Sequence, residues 1–222
     1  MREVRLDYTK RGNTKYISHL DLNRVFFRAV RRAEIPLWFT EGYNPKPYFK
    51  YISPLPLGVE SDCESVDIRL TDDNFPNAAL KERLNAVLPE GIEILRVHEP
   101  KMKVNETYAA VYEIRYEVTH PEEAEKRMEA VLLGDALYVS KKVKHGRKKT
   151  EEDVDILPNV ITYAFERKEN DLLLKILATA QQNNTLNIFL FAGALEQAAG
   201  VDYAARDIYK RCVVNENYRY FK

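Results

Sequence analysis

Lys15-Tyr-Ile-Ser-His-Leu-Asp-Leu-Asn-Arg-Val-Phe-Phe-Arg-Ala-Val-Arg-Arg-Ala-Glu-Ile-Pro36 reads as a strand end, a capped helix and a proline-stopped exit. Ser18 followed by Asp21 is close to a capping box: a hydroxyl for an exposed helical N–H and a carboxylate near the positive end of the dipole. At 100° per residue Leu22, Phe26, Ala29, Val30 and Ala33 share one side, with Phe27 at its margin. Arg24, Arg28, Arg31 and Arg32 share the other, and Asp21 joins them. Ile35 precedes Pro36, which disfavours further helix there. The segment is therefore an amphipathic helix laid on something apolar, a sheet being the expected support.

Working outward, Arg2-Glu-Val4-Arg-Leu6-Asp-Tyr8 alternates as a strand with Val4, Leu6 and Tyr8 inward. After Pro36, Leu37-Trp-Phe-Thr starts a second strand. It is interrupted by Glu41-Gly-Tyr-Asn-Pro-Lys-Pro47, a rigid loop, and resumed by Tyr48-Phe-Lys-Tyr-Ile. Glu64 to Leu70 alternates as a third strand, Asn77 to Leu88 has helical spacing, and Ile92 to Val97 is a fourth strand. The order β-α-β-β-α-β is the split ferredoxin-like pattern. A fainter copy follows: strand 108–118, helix 121–133, strand 137–140 running into a basic loop, paired strands 159–166 and 172–178, helix 187–199 and strand 207–214. The expected fold is α+β: two tandem ferredoxin-like units, residues 1–100 and 101–222, with antiparallel sheets and helices on one face. One eight-stranded α+β domain is the alternative.

The chain's 34 basic and 34 acidic residues cancel, but unevenly. Residues 1–50 carry 11 Lys and Arg against 5 Asp and Glu, and 141–149 add six bases with no acid. The rest is acidic, so the pattern suits a localised polyanion site rather than a wholly basic surface. No apolar run approaches the roughly 20 residues that span a bilayer, and Met-Arg-Glu-Val-Arg-Leu is unlike a signal peptide. A cytoplasmic protein with no membrane partner is expected. Two cysteines, Cys63 and Cys212, are too few for a disulfide scaffold or a thiolate zinc site, and the histidines are scattered; no metal or cofactor is expected.

The candidate anion-binding residues are Lys15, Arg24, Arg28, Arg31 and Arg32 around the helix, Asn44 and Lys46 on the proline-rich loop, and Lys141, Lys142, Lys144, Arg147, Lys148 and Lys149 in the basic segment. Arginine can hold two phosphate oxygens at once, and Trp38, Tyr43, Tyr48 and Tyr51 offer faces for stacking on bases. Their plain alternative is a solvated helix face and a surface loop. Ser18, His19, Asp21, Gly42, Pro45 and Pro47 are expected to shape the two motifs, although Glu41–Pro47 also reads as a simple crossover whose prolines block edge pairing. His19 with Asp21 and Lys15 is a weaker acid–base candidate, the helix dipole and partial burial favouring a neutral imidazole. Glu64 beside Cys63 argues against a reactive thiol.

Tyr16-Ile-Ser-His-Leu-Asp-Leu-Asn-Arg, Arg28-Ala-Val-Arg-Arg-Ala-Glu-Ile-Pro36, Glu41-Gly-Tyr-Asn-Pro-Lys-Pro47 and Pro54-Leu-Pro-Leu-Gly-Val-Glu-Ser61 together resemble the radical SAM-linked bacterial family of unknown function. The resemblance is dense over residues 10–70, and Lys-His-Gly-Arg-Lys-Lys at 144–149 is similar to the family's basic loop. Asp155-Ile-Leu-Pro158 lacks the arginine that follows in that family, so no role of that arginine is carried over. The resemblance implies partnership with a radical SAM enzyme, and the absence of CxxxCxxC means that this chain is not that enzyme. The expected function is a non-enzymatic RNA-binding or substrate-presenting module, with tRNA or rRNA as its ligand. A RAMP-like, metal-independent endoribonuclease using His19 is one alternative, and a protein-interaction adaptor is another.

Overall fold

The computed structural model describes residues 1–145 and 148–221, with the backbone alone at 141–145, 148–150 and 205. It contains strands β1 (Arg2–Lys10), β2 (Phe49–Ile52), β3 (Glu60–Leu70), β4 (Ile94–His98), β5 (Ala109–Glu117), β6 (Tyr138–His145), β7 (Lys148–Asp155), β8 (Val160–Lys168), β9 (Asp171–Gln181), β10 (Asn184–Thr185) and β11 (Ala205–Val214). Among the described residues four α-helices accompany them: α1 (His19–Arg32), α2 (Asn77–Asn85), α3 (Pro121–Leu132) and α4 (Ile188–Ala199). The fold is mixed α and β, and the chain divides into two compact units. Met1–Tyr108 with Lys210–Lys222 forms the first, and Ala109–Tyr209 the second.

In the first unit the strands run β4-β1-β3, with β2 also on β3. Residue pairing is antiparallel throughout: Val4 opposes Ile68, Leu6 opposes Val66 and Val97, and Tyr51 opposes Val66. Alternation therefore sends Val4, Leu6 and Tyr8 to one face, where α1 and α2 cover them. Phe26 of α1 is fully buried there, its ring edge-on to Tyr8 at 5.1 Å and 6.2 Å from both Phe49 and Tyr51. Burying a side chain of that size contributes about 1.5–3 kcal/mol.

Helix α1 starts as its residues require. The Ser18 Oγ accepts from the Asp21 N–H at 3.1 Å, and the hydroxyl donates to the Asp21 carboxylate at 2.7 Å. Its end comes before Pro36. Glu34 takes the left-handed conformation (φ 52°), the Ile35 N–H reaches the Val30 carbonyl at 3.0 Å, and the Ile35 side chain is buried. This is a Schellman-type cap with glutamate where glycine is usual. Gly91 (φ 93°) has no such freedom of replacement, because a Cβ there would meet the Arg11 carbonyl oxygen at 2.4 Å.

The other face of this sheet differs from a solvated one. Arg5, Asp7, Ser65 and Asp67 are buried on it. Arg5 grips Asp67 through two hydrogen bonds (2.6 and 2.9 Å), donates to the Met102 carbonyl at 2.8 Å and lies 4.8 Å from the Phe221 ring centroid. Asp7 accepts from Ser65 (2.8 Å) and Arg96 (2.8 Å), with the His98 Nε2 at 3.0 Å.

In the second unit, which holds the first half of β11, the strands run β11-β5-β9, with β8 and the short β10 also on β9. Tyr112, Ile114 and Tyr116 of β5 are buried, as are Met128 of α3 and Phe191 and Leu195 of α4. The Asn187 side chain caps α4, and Gly200 in the left-handed region ends it. The strand orders β4-β1-β3-β2 and β11-β5-β9-β8 correspond in chain order, with β11 reaching from the second unit into the first at Lys210. The second unit carries the β6–β7 hairpin as an insertion after α3. Two segments differ from expectation. Leu37–Thr40 is no strand: it makes only single bridges, Leu37 to Leu70 and Phe39 to Pro47, because the proline-rich loop cuts it short. The basic segment is no open loop either: its described backbone belongs to β6 and β7, which pair from Tyr138 with Asp155 to His145 with Lys148.

Candidate functional site

The outer face of α1 forms one wall of a groove of about 810 Å³ in the first unit. Arg24, Arg28, Arg31 and Arg32 rim it; Val25 and Phe27, with Val87 and Pro89 from the turn after α2, give it an apolar lining. Among the described residues no carboxylate lines it. The arginines are held in different ways. Arg24 pairs with Asp21 at 2.8 Å, Arg31 lies 5.3 Å from the Phe27 ring centroid, and Arg32 donates to the Val87 carbonyl at 2.7 Å. Arg28 is exposed and makes no ion pair or side-chain hydrogen bond among the described residues. The Ser18 hydroxyl and then the Arg24 guanidinium hold the Asp21 carboxyl below the usual carboxylate range, so this acid stays ionised and braces Arg24.

The proline-rich loop springs from beside this groove. Phe39 packs edge-on against Phe27 at 6.1 Å, and its backbone bridges to Pro47. The Thr40 N–H donates to the Lys46 carbonyl at 2.8 Å, and the Lys46 N–H donates to the Thr40 hydroxyl at 2.9 Å. Glu41 to Lys46 are all exposed, including Gly42, Asn44 and Pro45. The loop's feet are stapled by Arg69, whose guanidinium lies 5.2 Å from the Trp38 ring and 4.3 Å from the Tyr48 ring. Sequence reasoning missed Arg69, Val87 and Pro89, which reach these places through tertiary folding and carry no local signal.

Lys15 is engaged with Glu60 at 3.3 Å and lies 5.5 Å from the Tyr16 ring. Arg147 lies outside the described residues, as do the side chains of Lys141, Lys142, Lys144, Lys148 and Lys149. Of the acid–base candidates, Asp21 engages Ser18 and Arg24, Lys15 engages Glu60, and the His19 ring stands edge-on to Tyr51 at 4.8 Å.

Partial desolvation, and then the nearby Lys10 ammonium, lower the His19 pKa from its ordinary 6.5. The unfolded chain therefore takes up this proton first as pH falls, and folding stability declines below about pH 6.5. Replacing His19 with Phe is expected to flatten that part of a stability–pH profile, measured by denaturant melts between pH 7 and 5; an unchanged slope rejects this assignment. The Cys63 thiol is disfavoured as a nucleophile chiefly by burial rather than by Glu64. Burial is the main force pushing its thiol up to about 12, and Glu64 adds less.

Among the described residues no cluster of three His, Cys, Asp or Glu could hold a metal ion, and no helix is long and apolar enough to cross a membrane. No curated protein matches the chain. A family model, described as an uncharacterized protein conserved in bacteria (DUF2344), matches residues 3–188, and the chain belongs to that family.

Proposed function

We propose that this protein is a non-catalytic RNA-binding or substrate-presenting module whose arginine groove on α1 holds ligand phosphates. The observation that carries the reading is four guanidinium groups around one apolar groove with no carboxylate in its lining among the described residues. Such a rim suits a phosphate backbone, because each arginine can span two oxygens. The matching strand orders of the two units favour a tandem ferredoxin-like architecture, with the groove on the first helix of the first repeat. The motif resemblance over residues 10–70 supports a radical SAM enzyme as the partner to which the module presents its ligand.

Filter binding of tRNA and rRNA fragments across a salt series tests the proposal. Counterion release predicts a steep loss of affinity with salt. Replacing Arg24, Arg28 and Arg31 together with alanine is expected to reduce the slope of log K against log salt by roughly 2 for a single strand. Salt-independent binding, or none, defeats the reading.

One observation favours a second reading, a metal-independent endoribonuclease: the exposed His19 ring is biased toward its neutral, proton-accepting form. Labelled RNA that is bound but left intact rejects it, and cleavage abolished in His19→Ala supports it.

A further inference from the structure

We infer that the Glu41–Lys46 loop is a stacking finger for an unpaired base, so that the ligand of the arginine groove is single-stranded RNA and not a duplex. This rests on the reading of the groove as a phosphate site and adds to it the part of the ligand that the groove leaves unread.

Tyr43 at the tip is fully exposed, more so than any other large apolar side chain described. A loop with slack feet would explain such exposure without any role, but these feet are fixed. Two hydrogen bonds join Thr40 to Lys46, a backbone bridge joins Phe39 to Pro47, and Arg69 lies against both Trp38 and Tyr48. Two prolines limit the returning leg, and Gly42, at φ 129°, supplies a conformation that a side chain would resist. The chain thus presents one large aromatic ring to water on a braced support. Holding the ring this way lowers the ordering cost of stacking on it.

The position of the finger selects the ligand. Phe39 at its foot packs on Phe27, and Phe27 lines the groove beneath Arg31. At roughly 3.5 Å per extended residue, Tyr43 stands no farther than about 14 Å from Phe39. A strand whose phosphates lie on the arginines therefore brings a base within reach of Tyr43 a few nucleotides along. Lys46, exposed at the foot of the loop opposite Thr40, adds a cation for a phosphate on the way to that base. In a duplex both faces of each interior base are already stacked, so only an unpaired base can accept the phenol ring.

Fluorescence anisotropy at fixed salt would compare a labelled single-stranded RNA 12-mer, its duplex, an abasic 12-mer and inorganic polyphosphate, using the full chain. The single strand is expected to bind more tightly than the duplex or the abasic backbone. Tyr43→Ala should lose roughly 5- to 150-fold on the single strand, the range for one base–aromatic stack. Tyr43→Phe should retain binding, and polyphosphate affinity and the salt slope should be the same in all three proteins. The exposed position predicts an unchanged melting temperature, which separates loss of stacking from misfolding. Equal binding of the single strand by wild type and Tyr43→Ala overturns the inference while leaving the groove reading standing. Abasic or duplex RNA bound as tightly as the single strand has the same consequence. Failure to bind polyphosphate and RNA alike overturns both.

Discussion

Replacing Asp67 with alanine is expected to lower the unfolding free energy of the first unit by about 3–5 kcal/mol, the cost of stranding a buried charge. Arg5 and Asp67 face each other across β1 and β3 and are almost wholly inaccessible, at 0% and 3% exposure. Removing the carboxylate leaves a guanidinium that cannot reach water and cannot deprotonate. The Met102 carbonyl and the Phe221 ring would stay against it, but neither neutralises it. Paired replacement with apolar residues of similar size, Arg5→Met with Asp67→Leu, should recover most of the loss, because no buried charge then remains. Lys126→Ala, which breaks an exposed pair with Glu122, is the control and should cost less than about 0.5 kcal/mol. Urea melts followed by circular dichroism would measure all three. A loss below about 1 kcal/mol for Asp67→Ala would show that water reaches Arg5.

That buried pair also marks where reading the sequence ran out. The alternation of Arg2 to Tyr8 identifies the face beneath α1 correctly, and Leu22, Phe26, Ala29, Val30 and Ala33 are buried as helical spacing demands. Such patterns are local, set by a period of 2.0 or 3.6. The same alternation makes Arg5 and Asp7 look solvent-facing, whereas each is buried among groups far along the chain. Met102 and Phe221 meet Arg5, and Arg96 and His98 meet Asp7, contacts that no periodicity encodes. The candidate site divides in the same way. The arginine stripe was legible because one helix presents it. Its apolar opposite wall, Val87 and Pro89, became part of the groove only once α2 had folded beside α1. The end of α1 shows a subtler limit. Proline after Ile35 announces a stop, but the stop is made two residues earlier by a glutamate in the left-handed region, which propensity alone would not choose.

A second buried ionic group should respond in a graded way that separates charge from packing. Lys210 of β11, at 0% exposure, pairs with Glu64 of β3, at 2%, across 2.6 Å, and it also donates to the Ser53 carbonyl at 2.8 Å. Lys10 is buried close by and feels the same carboxylate. Two ammonium groups therefore share one acid, and burial together with Lys210 lowers the Lys10 pKa while Glu64 opposes them. Glu64→Gln removes the only negative charge of the three and is expected to cost about 3–5 kcal/mol. Lys210→Met should cost less, because Glu64 keeps Lys10 as a cationic neighbour. The double variant Glu64→Gln with Lys210→Met should be more stable than Glu64→Gln alone, since one of the two buried cations is gone. Raising the pH should relieve Glu64→Gln selectively: a buried lysine with a lowered pKa sheds its proton before it would in the unfolded chain, and the penalty shrinks as it does. Denaturant melts of the three variants at pH 7 and pH 9.5 would decide. Equal losses for Glu64→Gln and Lys210→Met, with no relief at high pH, would mean that the cluster acts through shape and hydrogen bonding and not through charge.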